Sequence, residues 1–182
     1  MAISKVTSAS ITTNAVGPTQ LNEASNYDFT GTVTGAGGNM SPSFYAIRTG
    51  GSQNLSDNTW TKAQINTELY DTNSAYDNSS NYRFTPQTAG KYYIYSSASL
   101  SDTGLQYENN LKIYKNGSAI STDEQQYFYD TGGANLATHF LAVVCDMNGS
   151  SDYVEAYMKA DSNGGTPKIS NGSSFGAYKI IE

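Results

Sequence analysis

The sequence predicts an all-β protein, a β-sandwich or barrel of many short strands preceded by an extended arm. Three observations lead there. Aromatic residues recur with period two, most clearly where Tyr82-Arg83-Phe84 and Tyr92-Tyr93-Ile94-Tyr95 flank Pro86 and Gly90. Turn signals such as Asn116-Gly117 and Asn148-Gly149 punctuate the apolar runs at close intervals. The composition places 15 Tyr and 6 Phe in 182 residues while charged residues reach only 14%, which suits tyrosine-rich pleated sheet joined by polar turns. Aromatic content this high also separates the chain from disordered sequences.

Taken in order, residues 1–38 differ from the remainder. Apolar residues are sparse there, at Ile3, Val6, Ile11, Val16 and Leu21, and the last three are evenly spaced. That spacing fits neither an amphipathic helix nor a single strand, and Val16-Gly17-Pro18 would interrupt a helix. So few apolar groups cannot offset the entropy of folding alone. The segment is therefore either a floppy arm or one that orders against other chains, and the even spacing favours the second, with those five residues as its attachment points. Tyr27, Phe29, Gly31 and Val33 alternate with polar neighbours as one short strand, and Gly35-Ala36-Gly37-Gly38 reads as a linker.

A knob domain is expected over residues 39–182, its globular part running from about Ser43 to Ile181. Strand signals open at Phe44-Tyr45-Ala46-Ile47 and turn mixed between Trp60 and Leu69. In the first run of the 82–95 stretch, Pro86 ends the strand for want of an amide donor, and Gly90 offers the positive φ of a reversal. In the second run Tyr92 and Ile94 face one way, Lys91, Tyr93 and Tyr95 the other. If the first face is core, two rings remain outside it for a partner to cover. Leu111 to Tyr114 runs into Asn116-Gly117, the dipeptide of a tight type I′ hairpin. Tyr127-Phe128-Tyr129 is a short aromatic run, an edge strand or a glycan-stacking platform. Thr138 to Cys145 is nearly continuously apolar and is expected to be a central strand; Asp152 to Tyr157 and Phe175 to Ile181 follow. The core is assigned to Phe84, Tyr92, Ile94, Val154 and Phe175.

The totals exclude several functions. A net charge of −6 and a pI near 4.6, with no Lys/Arg cluster, argue against nucleic-acid binding. No run approaches a membrane span, and the opening residues lack a signal-peptide apolar region, so a soluble chain is expected. Cys145 has no second cysteine to pair with. The asparagine sequons at Asn78, Asn116, Asn148 and Asn171 read as turns.

Catalytic motifs are thin. Gly172-Ser173-Ser174-Phe175-Gly176 matches G-x-S-x-G, but the single histidine, His139, precedes it, and the hydrolase order requires acid and histidine after the serine. His139 and Cys145 share a strand face at roughly 20 Å by extended rise, too far for a thiol–imidazole pair. No cofactor is expected. Calcium is the alternative, because Asp102, Glu108, Asp123, Glu124, Asp130, Asp152 and Asp161 are in or near expected loops, although solvated turns explain them equally well and no EF-hand spacing occurs.

Phe84, Pro86, Gly90 and Tyr92-Tyr93, then Lys115-Asn116-Gly117, Asp152-Tyr153-Val154 and Phe175-Gly176, stand in an order that resembles the jelly-roll domain of the complement one-q globular head and the tumour necrosis factors. The resemblance implies a jelly-roll β-sandwich of about ten strands that assembles as a homotrimer; Tyr93 and Tyr95, which alternation leaves outside the core, are then either ordinary exposed sheet or the three-fold interface. It further implies calcium near the trimer apex in some members, and places Phe175-Gly176 at the start of the last strand. The opening ISKVTSASITTNAVGPTQL, followed by YDFTGTVTGAGG, is similar to fibre and tail-appendage proteins of bacteriophages, especially those of marine cyanobacteria. That likeness implies a non-enzymatic virion protein, a fibre or decoration knob displayed at the particle surface, whose arm docks on other virion proteins and whose loops meet a host cell-surface glycan. A free lectin-like module is the alternative, and a glycan-degrading fibre the third reading.

Overall fold

The structure, a computed structural model, describes residues 40–121, 124–127 and 136–181. The arm residues Ile3, Val6, Ile11, Val16 and Leu21, and the strand expected over 27–34, lie outside the described residues.

Fourteen strands form among the described residues: β1 Ser43–Ile47, β2 Gln53–Asn54, β3 Thr61–Lys62, β4 Thr67–Asp71, β5 Tyr76–Asp77, β6 Arg83–Phe84, β7 Ala89–Ser101, β8 Leu105–Lys115, β9 Ser118–Ala119, β10 Glu124–Tyr127, β11 Leu136–Asn148, β12 Val154–Asn163, β13 Lys168–Ile169 and β14 Ser174–Ile181. Six of these are two-residue bridges; the eight longer ones are the strands of a jelly roll. Sheet A runs β4-β1-β14-β7-β11, with β13 and β2 joined to the far end of β7. Sheet B runs β10-β8-β12, with β6-β5 and β3 on the outer side of β12 and β9 on β8. Each pairing is antiparallel, so each sheet can bury one face and leave the other free.

The alternation in β7 sorts its side chains as period two requires. Tyr92, Ile94, Ala98 and Leu100 are fully buried, and Phe84, Val154 and Phe175 reach the same core from β6, β12 and β14. One end of that core is aromatic. Phe44 of β1 stacks on Tyr76 at 4.4 Å and Phe84 at 4.7 Å and meets Phe175 edge-on at 5.2 Å, while Phe84 meets Tyr92 edge-on at 5.8 Å. Rings from both sheets thus interlock, each burying on the order of 150–250 Å². The phenol hydroxyls of the two buried tyrosines are satisfied: Tyr76 Oη donates to the Ile65 carbonyl and Tyr92 Oη to that of Thr88, both at 2.8 Å. Burial pushes Tyr92 up to about 12 and Tyr76 further.

The two Asn-Gly turns are tied together. Asn116 (φ 51°) and Gly117 (φ 79°) both take the left-handed conformation that the two-residue β8–β9 hairpin demands. In the β11–β12 turn, Asn148 Oδ1 accepts from the amides of Ser150, Ser151 and Asp152 at 2.9–3.0 Å. Asp152 then bridges the turns, accepting from Lys115 Nζ at 2.8 Å, Asn116 Nδ2 at 2.8 Å and the Asn148 amide at 2.9 Å.

Three expectations are corrected. The 138–145 run is not central: β11 is paired only with β7 among the described residues and forms the sheet's edge. Its run is continuous because both its faces are apolar, Leu141, Val143 and Cys145 packing on the core and Phe140 and Val144 standing exposed on the other side. Tyr82 does not belong to a strand; with φ 51° it ends the preceding turn, and β6 holds only Arg83 and Phe84. Gly90 has the expected positive φ, 145°, but inside β7 opposite Met147 rather than in the reversal.

The bonds from Lys115 and Asn116 hold the Asp152 carboxyl below the usual carboxylate range. Asp152→Asn should therefore cost roughly 1.5–3 kcal/mol at neutral pH. A depressed native value makes this contribution complete above the ordinary 3.8 and lost as the pH falls through the native value. Urea midpoints of the variant and the native protein should accordingly converge in acid; a gap that does not narrow there removes Asp152 as the clamp.

Candidate functional site

The outer face of sheet A gathers aromatic rings from four strands. Tyr93 and Tyr95 project from β7, and register places Tyr178 of β14 beside Tyr93 and Gly176 beside Tyr95. Tyr45 of β1 lies across the same Gly176, and on the other flank Val144 and Ala142 of β11 oppose Tyr93 and Tyr95. The rings make a continuous array: Tyr45–Tyr95 centroids are 6.2 Å apart, Tyr93–Tyr95 5.9 Å, Tyr93–Tyr178 5.4 Å and Tyr95–Phe140 6.4 Å.

Gly176 makes this array possible. A Cβ there would stand 2.5 Å from Cζ and Oη of Tyr95, so only a bare backbone lets that ring lie down between Tyr45 and Phe140. Its covered position raises the Tyr95 hydroxyl to about 12, first through burial and then through Tyr70, Tyr45 and Tyr178 around it. Phe140 nevertheless remains 58% exposed, Val144 56% and Tyr70 47%. At one end the stripe closes with the Lys91–Asp146 ion pair at 2.6 Å; at the other it gives way to hydroxyls, Ser97 on Ser174 at 3.0 Å and Ser101 on Ser170 at 2.7 Å.

Sheet B presents different chemistry. Trp60 carries the Lys112 and Lys159 ammonium groups 4.6 and 5.7 Å from its ring centroid, Tyr114 and Tyr157 pair at 4.1 Å, and Lys62–Glu155 and Lys159–Glu108 form ion pairs at 2.5 and 3.5 Å. These charges and rings are partnered within the sheet's own face.

Of the residues singled out from sequence, Tyr93 and Tyr95 lie side by side on the aromatic face, half-buried. Tyr45, Tyr70, Phe140, Gly176 and Tyr178 were missed. Their signal was the same period-two alternation, but which strands lie beside β7 is not written in it. Tyr127 is in β10, and Phe128 and Tyr129 lie outside the described residues.

The catalytic candidates separate. Ser174 is inside β14, bonded to Ser97 on the outer face, whereas His139 is opposite Ala98 on the core side of the same sheet. Cys145 packs its thiol 3.7 Å from Met147 Sδ, and burial pushes its pKa up, away from the thiolate. Among the loop carboxylates, Asp102 is buried and accepts from the Gly104 amide, Glu108 faces Lys159, and Asp152 clamps the turns. Asp161 is on β12 and Glu124 on β10; Asp123 and Asp130 lie outside the described residues. No group of three or more metal-ligating side chains occurs among the described residues, and no described helix is long and apolar enough to cross a membrane.

Two antiparallel sheets with β1, β14, β7 and β11 adjacent in one and β12, β8 and β10 in the other define an all-β jelly roll of the tumour necrosis factor and complement one-q type. Among solved structures, the chain is similar to the Eiger tumour necrosis factor from S. frugiperda (TM-score 0.56, 13% identity, 77% of this chain and 92% of that one). It is also similar to the globular domain of zebrafish complement 1qA (TM-score 0.51, 14% identity, 78% and 99%) and to murine APRIL (TM-score 0.53, 10% identity, 76% and 98%). No family model and no curated protein sequence matches. At these identities the likeness establishes the fold.

Gly176→Ala should push the Tyr95 ring out of the array at a cost of about 1–3 kcal/mol, the usual range for overpacking. Near-ultraviolet circular dichroism should lose tyrosine signal and the urea midpoint should fall; an unaltered spectrum would mean that the ring does not rest on Gly176.

Proposed function

We propose that this domain is a non-catalytic binding module that works as a homotrimer, with the aromatic face of sheet A packed around the three-fold axis. One observation carries the reading: an array of tyrosines with exposed Phe140 and Val144 on a face that, among the described residues, has no covering strand or helix and an ion pair only at its end. Two rings per protomer, already half-buried in the single chain, leave roughly half of the 150–250 Å² of each aromatic to cover, which at ~25 cal/mol per Å² contributes a few kcal/mol toward association. The fold supports the same arrangement through the resemblance already described. Trimerisation multiplies weak loop contacts, since linked sites raise avidity by about 10²–10⁴. The Ser, Thr, Asn and Tyr side chains that dominate the loops suit a polar target such as a cell-surface glycan.

The N-terminal likeness to phage appendage proteins favours a second, narrower reading, in which residues 1–38 attach this trimer to a virion as a fibre or decoration knob. Mass spectrometry of purified particles tests it directly, and absence of the chain from them leaves the free module.

Replacing Tyr93 and Tyr95 together by Ser should reduce the solution mass from three chains to one by multi-angle light scattering, with the far-ultraviolet spectrum retained. A native protein that already has the mass of one chain, or a double variant that keeps the native mass, rejects the interface.

A further inference from the structure

The pair Asn-Gly occurs four times in the chain, at Asn116-Gly117, Asn148-Gly149, Asn163-Gly164 and Asn171-Gly172. A glycine nitrogen can reach the side-chain amide of the asparagine before it, because no Cβ hinders the approach. The fold holds three of the four pairs back. Asn116 accepts from the Tyr153 amide at 3.0 Å and donates to Asp152 at 2.8 Å, so both ends of its side-chain amide are engaged. Asn148 Oδ1 takes the amides of Ser150, Ser151 and Asp152 while its Nδ2 donates to Ser151 Oγ at 3.0 Å, and the backbone of Thr88 and Ala89 crowds Gly149. Asn171 Oδ1 accepts from the Gly51 amide at 3.1 Å, and the nitrogen that would attack it, that of Gly172, donates to the Arg48 carbonyl at 3.1 Å.

Asn163 is placed otherwise. It is the last residue of β12, paired with Leu105, and its side chain is exposed. Its Nδ2 donates to the Tyr107 hydroxyl at 2.7 Å, and that ring is exposed too. Gly164 is also at the surface, at φ 76°, with open space where a Cβ would stand. Swinging the Asn163 amide onto the Gly164 nitrogen gives up that surface hydrogen bond. The same movement at Asn148 would undo the whole β11–β12 turn.

We propose that Asn163 is a self-modifying site that converts to aspartate and isoaspartate in the folded protein. Hydroxide removes the Gly164 amide proton and the nitrogen attacks Asn163 Cγ; the Cγ–Nδ2 bond then breaks, and Nδ2 leaves as ammonia with a proton taken from water. Water opens the resulting cyclic imide. Addition at Cγ gives aspartate, and addition at the backbone carbonyl carbon gives isoaspartate; no oxidant or reductant is involved. Either product sets a negative charge beside Tyr107. Isoaspartate also lengthens the backbone by a methylene just ahead of Gly165, which packs on Gly104 too closely to admit a Cβ. This goes beyond the trimer reading, which concerns the other sheet, and holds for a single chain.

The test incubates the full-length protein at neutral and at mildly alkaline pH, with a portion unfolded in urea alongside. Each sample is digested at mildly acidic pH, so that the work-up adds no conversion, and every Asn-Gly peptide is followed by mass spectrometry for exchange of NH2 for OH, with isoaspartate counted by a protein isoaspartate methyltransferase. In urea the four pairs should convert at comparable rates. In the folded protein Asn163 should convert several-fold faster than the other three and faster again at the higher pH, with ammonia released to match, and Asn163→Gln should abolish most of that release. An Asn163 peptide that keeps its amide in the folded protein, or any other pair that keeps pace with it there, overturns the proposal.

Discussion

The structure depends on β7, whose alternate residues must satisfy two surfaces at once. Tyr92, Ile94, Ser96, Ala98 and Leu100 point into the sandwich, and Lys91, Tyr93, Tyr95, Ser97, Ser99 and Ser101 point away from it. β11 runs along one edge of this strand for its full length, while β14 and then β13 share the other. A slip of one residue in any of these ladders would carry Tyr93 and Tyr95 into the core and Ile94 into water, so the hydrophobic effect sets the register of all three neighbours.

Register in turn composes both faces. Inside, rings from the two sheets interlock around Phe44, and the hydroxyls of Tyr76 and Tyr92 each find a carbonyl. Outside, the same ladders set Tyr45, Tyr95 and Phe140 in a row that, among the described residues, ends at the Lys91–Asp146 pair. Sheet B resolves the equivalent problem differently, laying Trp60 over lysine ammonium groups and pairing its remaining charges. Among the described residues the two outer faces therefore differ: that of sheet B pairs charges with rings and with one another, and that of sheet A presents exposed Phe140 and Val144.

Much of this was legible beforehand. Alternation in 92–95 separated core tyrosine from surface tyrosine correctly, because period two is a local property of extended backbone. Asn116-Gly117 predicted its own hairpin, since few residue pairs tolerate two successive left-handed conformations. The 138–145 run misled for an equally physical reason. An apolar residue standing exposed on an outer face looks, in sequence, the same as one in a central strand buried on both faces. Tyr45, Phe140 and Tyr178 escaped notice because nothing local announces that their strands flank β7.

The amino-acid order by itself determined that the chain folds as antiparallel sheet, where its hairpins turn and which side of each strand is apolar, since these follow from backbone geometry and solvation over a few residues. Only the tertiary structure decided that Gly176 lies beneath Tyr95 and that β11 is an edge among the described strands. Those facts arise from contacts between segments far apart in the chain, chosen by how two whole sheets pack and not by any stretch read alone.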